Sequence, residues 1–320
     1  MIKINNYDLP STWEEFSPEE FLTVSNYITL YTEGKYTVDD TKILLFCALT
    51  NFKIERLKPD QRQKFISNLL NLLNNFNFFY EISYPESKFK NISAPIREQL
   101  RKIEPEKLSD PEARAAIKLK RTYIPDLAIK CQLLPTLRIS RRQLLHGYSF
   151  DCRKVPETSL TAEQFIDANQ AYDAFVDTRD MAYLDLFVAI LYCKPYTSDD
   201  ARKLADSIKC IPASIKNAVL LNYMGILNYL FYKTDYAILF KQSDKIKRKN
   251  KLGMTSILFS ISEKGYGSLH EISNLNLFTF FDLIRQGIAN SIQECLALEM
   301  QTIDIAEKLD LPLEVINEFI

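Results

Sequence analysis

The sequence predicts a mainly α protein: two multi-helix domains joined by a proline-rich connector with little β structure. Three observations predict it. Apolar residues recur at helical spacing behind N-cap signals before residue 80 and again after residue 159. The 320 residues include only seven glycines, too few for a glycine-heavy β architecture whose turns need positive φ. Between them, Pro85, Pro95, Pro105, Pro111, Pro125 and Pro135 punctuate a stretch of loops and short β-prone pieces. The length suits two domains. The expected division is 1–80 for an N-terminal helical domain, 81–158 for a mixed connector of loops and short helices, and 159–320 for a C-terminal helical domain.

The first helix is expected behind Ser17-Pro18-Glu19-Glu20. Ser17 can cap, Pro18 suits the first helical position, and Glu20 can reach back to the cap amide. Phe21, Val24, Ile28 and Tyr31 then share one stripe, and Gly34 ends it. Thr37 starts a second helix, with Ile43, Leu44, Phe46, Cys47 and Leu49 apolar. Pro59-Asp60 opens a third, read as running through Phe65, Leu69, Leu72, Phe76 and Phe79, with Ile66, Leu70 and Leu73 widening its face. Two apolar stripes on one helix predict burial on two sides.

In the connector, Tyr80–Tyr84 and Thr122–Ile124 are β-prone and could form a small hairpin, and a short helix is expected after Ser109-Asp110-Pro111-Glu112. Thr161-Ala162-Glu163-Gln164 reads as another capping box, with Phe165, Ala168, Tyr172 and Phe175 beyond it on one face. Leu184, Phe187, Val188 and Leu191 mark the next helix, which Pro195 stops. Ser198-Asp199-Asp200 caps a short helix to Ile208, and Pro212 opens a long one ending near Tyr232. A final long helix spans Leu275 to Met300, and two short amphipathic pieces, Ile303–Leu309 and Leu313–Ile320, flank Pro312.

Several chemistries are disfavoured by composition. The six cysteines stand far apart with no C-x-x-C pair, and only His146 and His270 could join them, so no metal site or redox pair is expected. Reduced, mostly buried thiols fit an intracellular setting. No phosphate-cradling glycine motif occurs, so no nucleotide cofactor is expected. Gly265-Tyr266-Gly267-Ser268-Leu269-His270 groups glycines, a serine and a histidine, and is read as a tight loop between helices, with Ser268 or Asn274 as the cap of the next one. Pro125-Asp126 could open a metal-dependent nuclease signature, but no Asp/Glu-x-Lys lies downstream of it. No catalytic residue is assigned. An enzyme would need a site assembled from scattered polar residues such as Asp126, His146 and Tyr148. The N-terminus lacks the apolar core of a signal peptide. The apolar run Ala218–Tyr232 is shorter than the ~20 residues of a membrane span and is read as a buried helix, with no membrane partner.

Net charge is −1, so any polyanion binding must come from a local patch. The strongest is 241–251, where Lys241, Lys245, Lys247, Arg248, Lys249 and Lys251 face only Asp244. It is read as a solvated loop or, as the alternative, a contact for nucleic acid or an acidic partner, since each neutralised phosphate releases counterions. It lacks interleaved aromatics for base stacking. Arg138, Arg141 and Arg142 form a weaker patch. The tail 304–316 has the sound of a half helix-turn-helix, yet Glu314, Asn317 and Glu318 would repel phosphate. It is read as an apolar latch that docks on this chain or on a partner.

Leu9-Pro10-Ser11-Thr12-Trp13-Glu14-Glu15-Phe16 precedes the first capped helix and holds the only tryptophan. Trp13 is read either as a staple for the N-terminal segment or as an aromatic anchor for a partner. This segment, the later Lys42-Ile43-Leu44-Leu45 helix, Leu160–Ala168 and Leu184–Tyr192 together resemble uncharacterised proteins of Bacteroidetes phages and prophages, some of them tail-assembly-chaperone-like or small structural proteins. The resemblance implies a virion component or tail assembly factor without catalytic residues. Its partners would be other phage or assembly proteins or a second copy of itself. Its place would be the host cytoplasm during assembly, or the virion, rather than outside the cell.

Overall fold

The computed structural model describes residues 1–4, 6–83, 111, 122–240 and 253–320. Among them the protein is mainly α, with twelve α-helices and four two-stranded antiparallel sheets of short strands. The short helix expected after Ser109 lies outside the described residues. Two compact units emerge: residues 1–15 with 23–127, and residues 16–22 with 128–320.

The first unit opens with β1 (Ile2–Ile4) and β2 (Tyr7–Leu9), paired so that Ile2 faces Leu9. Helix α1 (Pro18–Thr32) is divided between the units at Leu22 and Thr23. Its capping box forms as expected: the Glu20 N–H donates to Ser17 Oγ at 3.3 Å and the Ser17 N–H to Glu20 Oε2 at 2.9 Å. Phe21, Val24, Ile28 and Tyr31 are all buried. Gly34 takes φ +73° and its N–H reaches back to the Tyr31 carbonyl, which is why a glycine ends this helix.

Helix α2 (Val38–Thr50) starts at a reciprocal Thr37–Asp40 capping box. Its buried residues include Leu45 and Phe46, and also Lys42, whose ammonium donates to the Leu73 carbonyl at 3.0 Å and lies 5.2 Å from the Tyr80 ring. Helix α3 (Pro59–Leu72) is shorter than the sequence reading. A 3-10 turn over Leu73–Asn75 breaks it, so Phe76 and Phe79 belong to the segment beyond. Asn74, Asn75 and Asn77 compete for backbone groups and favour that break. Leu72 is exposed, whereas Leu69 and Leu73 are buried and Phe65, Ile66 and Leu70 are half-buried. The aromatics past the break pack edge to face, Tyr31 against Phe79 at 5.3 Å and Phe76 against Phe78 at 5.1 Å. The two β-prone pieces of the connector pair with each other, β3 (Tyr80–Ser83) against β4 (Thr122–Pro125), with Ser83 opposite Thr122.

The second unit begins with two small hairpins, β5 (Thr136–Arg138) with β6 (Leu144–His146) and β7 (Phe150–Asp151) with β8 (Glu157–Thr158). Its helices are α4 (Ala162–Thr178), α5 (Met181–Tyr192), α6 (Ser198–Ile208), α7 (Ala213–Lys233), α8 (Gly253–Glu263), α9 (Leu269–Ser273), α10 (Leu277–Ala297), α11 (Thr302–Leu309) and α12 (Leu313–Phe319). Helix α5 is the centre, with every residue from Phe187 to Tyr192 buried and α4, α6 and α7 packed on it. The α6 cap is Thr197, one residue before the expected Ser198, because Thr197 Oγ1 accepts the Asp200 N–H at 3.1 Å. Helix α7 is the expected buried helix, and no described helix is long and apolar enough to cross a membrane. The tail resolves as a latch on its own unit: Ile305 of α11 and Ile316 of α12 close over Ile292 and Cys295 of α10.

Candidate ligand cavity and exposed apolar end

A cavity of about 420 Å³ opens in the second unit where four segments converge. The turn between β6 and β7 supplies Tyr148, and the link between β8 and α4 supplies Ser159 and Thr161. The α5–α6 connection supplies Cys193, Lys194, Pro195 and Tyr196, and Asn274 closes the ring. Backbone hydrogen bonds hold these segments together. Ala162 N–H donates to the Leu275 carbonyl and Leu277 N–H to the Leu160 carbonyl, both at 2.9 Å, while Tyr148 N–H donates to the Leu191 carbonyl at 3.0 Å.

Most polar groups of this wall are committed to the protein itself. Ser159 Oγ accepts the Ser149 N–H at 2.8 Å, and Asn274 Nδ2 donates to the His270 carbonyl at 2.8 Å. Thr161 Oγ1 accepts the Gln164 N–H at 3.2 Å. The expected capping box is thus half formed: the Gln164 side chain turns inward instead and donates to the Ile190 carbonyl at 2.7 Å. Two groups stand apart. Tyr148 is 4% exposed, with its ring edge-on to Tyr223, and its hydroxyl has no hydrogen-bond partner among the described residues. Burial, with the neighbouring Tyr192 and Tyr223, pushes its pKa well above the usual phenol range, so it is a neutral donor. Lys194 is exposed at the rim and forms no ion pair among the described residues.

Tyr196 also lines a neighbouring cavity of about 230 Å³ with Asp167, Gln170, Tyr183 and Arg202. Its hydroxyl donates to Asp167 Oδ2. Burial and that hydrogen bond push the Tyr196 hydroxyl far above the usual range. Burial also raises the Glu163 carboxyl, helped by Asp167 and opposed by His270.

The remaining described candidate residues, His146 and Asp126 among them, do not line this cavity. Trp13 is 3% exposed and lies edge-on to Phe78 at 4.7 Å, in the core of the first unit, as the staple reading expects. Lys241, Lys245, Lys247, Arg248, Lys249 and Lys251 lie outside the described residues. Arg138, Arg141 and Arg142 are exposed around the β5–β6 turn. Asp126 belongs to the first unit, whereas His146 and Tyr148 belong to the second. Ser268 and Glu271 form a reciprocal capping box for α9, which is the structural role read for that loop. Among the described residues no three His, Cys, Asp or Glu side chains gather as metal ligands, and all six cysteines are free thiols.

One end of the second unit carries unusual apolar exposure. Leu298, Ile303 and Leu313 are 69%, 60% and 43% exposed, in the same C-terminal stretch that buries Ile305 and Ile316. Of all these groups sequence reasoning singled out Tyr148, the terminal helices and, as caps only, Thr161 and Asn274. Lys194, Thr161 and Tyr196 join the cavity through contacts between segments far apart in the chain, which no local pattern signals.

No protein-family model, curated protein or solved structure matches the chain.

Proposed function

We propose that this chain is a structural or assembly protein acting through protein–protein contacts, as a phage virion component or tail assembly factor, with other assembly proteins or a second copy of itself as partner. The observation that carries the reading is the exposure of Leu298, Ile303 and Leu313 around the α10–α12 end. Large aliphatic side chains held in water by a folded scaffold gain free energy when a partner covers them, by about 25 cal/mol per Å² of apolar surface buried. The resemblance of the N-terminal and α4–α5 segments to phage proteins supplies the setting: the host cytoplasm during assembly, or the virion.

Light scattering on the eluting protein, combined with cross-linking in infected or induced cells, tests the reading. Self-association or cross-links mapping to residues 298–313 are expected, lost in Leu298→Asp and Ile303→Asp while helical content stays unchanged. A protein that is strictly monomeric, and absent from virions and assembly intermediates by mass spectrometry, would sink the proposal.

A further inference from the structure

The cavity beneath Tyr148 has a chemistry that protein–protein contact at the α10–α12 end does not use. We propose that it binds a small organic ligand carrying a single carboxylate. The reading is independent of the assembly role above. Three features point to an oxygen anion. Tyr148 lines the cavity, is 4% exposed, and its hydroxyl has no partner among the described residues. Buried polar groups are rarely left so, and a neutral phenol is a donor waiting for an acceptor. Lys194 at the rim supplies a full positive charge that no carboxylate of the described residues neutralises. Thr161 and Gln164, the N-cap and third residue of α4, both line the wall, where the dipole of a 17-residue helix adds partial positive charge although the Ala162 and Gln164 amides are already bonded within the protein.

The charge count selects the ligand class. Among the described residues only one cation lines the cavity, and Asp167 and Glu163 both exert their field on Tyr196, which lines it too. A dianion such as phosphate would meet that repulsion with one lysine to offset it, whereas a monocarboxylate matches the single charge. The volume, about 420 Å³, falls within the range of small-molecule sites. The carboxylate would accept from Tyr148 and pair with Lys194, with the organic remainder against Pro195 and the Tyr196 ring.

Calorimetric titration of the full chain with benzoate, hexanoate, inorganic phosphate and benzylamine tests this. Saturable binding of at least one of the two carboxylates, with phosphate and benzylamine both weaker, is expected. Tyr148→Phe, which removes only the hydroxyl, and Lys194→Met, which removes only the charge, should each weaken carboxylate binding about tenfold. Circular dichroism checks that both fold, and if Tyr148→Phe does not, the exposed Lys194→Met carries the test alone. No saturable binding of either carboxylate overturns the proposal. So does binding indifferent to the folded variants, or phosphate or benzylamine binding as tightly as the carboxylates.

Discussion

Lys216 of α7 and Asp185 of α5 pair at 2.5 Å inside the second unit, with side chains only 5% and 7% exposed. The pair joins the central helix to the long buried one. Its attraction is strong where water is excluded, but each charge has been stripped of solvent to get there. Removing one partner should therefore cost more than removing both. Asp185→Asn or Lys216→Met is expected to lose about 3–5 kcal/mol in urea unfolding, and the double change Asp185→Leu with Lys216→Met much less. Equal losses for single and double variants would show that the pair's net attraction outweighs its desolvation.

Asn222 is fully buried on α7 and works as a clamp on the extended segment before β5. Its Oδ1 accepts the Leu133 N–H at 3.0 Å and its Nδ2 donates to the Cys131 carbonyl at 3.3 Å. Asn222→Leu keeps the volume, takes the partner from the Leu133 N–H and removes one bond to the Cys131 carbonyl, at about 1–3 kcal/mol for a stranded group. Chemical denaturation should show this loss, with faster amide exchange at Leu133. Unchanged exchange there would refute the clamp.

The terminal latch should be separable from the rest of its unit. Ile305→Ala and Ile316→Ala each empty part of the cluster around Ile292 and Cys295, a loss of about 2–5 kcal/mol for buried isoleucine. Hydrogen exchange should rise in α11 and α12 first, with α5 still protected. Simultaneous loss of protection in α5 would mean that the latch is integral to the core.

Glu163 predicts a pH dependence. Burial raises its carboxyl above the usual value of 4.5 in the folded protein, with Asp167 adding to the shift. The folded state thus holds the proton more tightly than the unfolded chain. The stability this contributes is present below pH 4.5 and is lost as pH rises through the elevated folded value. At neutral pH the charged, desolvated carboxylate is a net cost. Glu163→Gln should therefore raise the melting temperature at about pH 7 and leave it nearly unchanged below pH 4.5. A lower melting temperature at neutral pH would contradict the assigned environment.

Legibility from sequence tracks interaction range. The pairs Ser17–Glu20 and Ser268–Glu271 are caps whose two partners stand three residues apart, so the chain spells them out. The stripe of Phe21, Val24 and Ile28 is readable for the same reason. Where a polar residue has two choices, local pattern misleads. Gln164 has the spacing to complete a cap on Thr161, yet its amide bonds Ile190, on a different helix. The break of α3 at Leu73 escapes a periodicity argument because apolar spacing continues through Phe76 and Phe79 while the asparagines between them end the helix. Lys42 is buried although it carries a charge, and the Leu73 carbonyl and the Tyr80 ring, both distant in sequence, help to make that burial tolerable.

By itself, then, the sequence determined a mainly helical chain, most of its helix starts, and which apolar faces turn inward, because caps and amphipathic stripes are set by neighbours within one or two turns. Tertiary structure alone decided which buried charges find partners, that Trp13 is interior, and that Tyr148, Thr161 and Lys194 surround one cavity. Those outcomes depend on backbone groups and side chains tens of residues apart being brought together, and the free energy of satisfying or stranding a polar group exists only once the low-dielectric interior has formed around it.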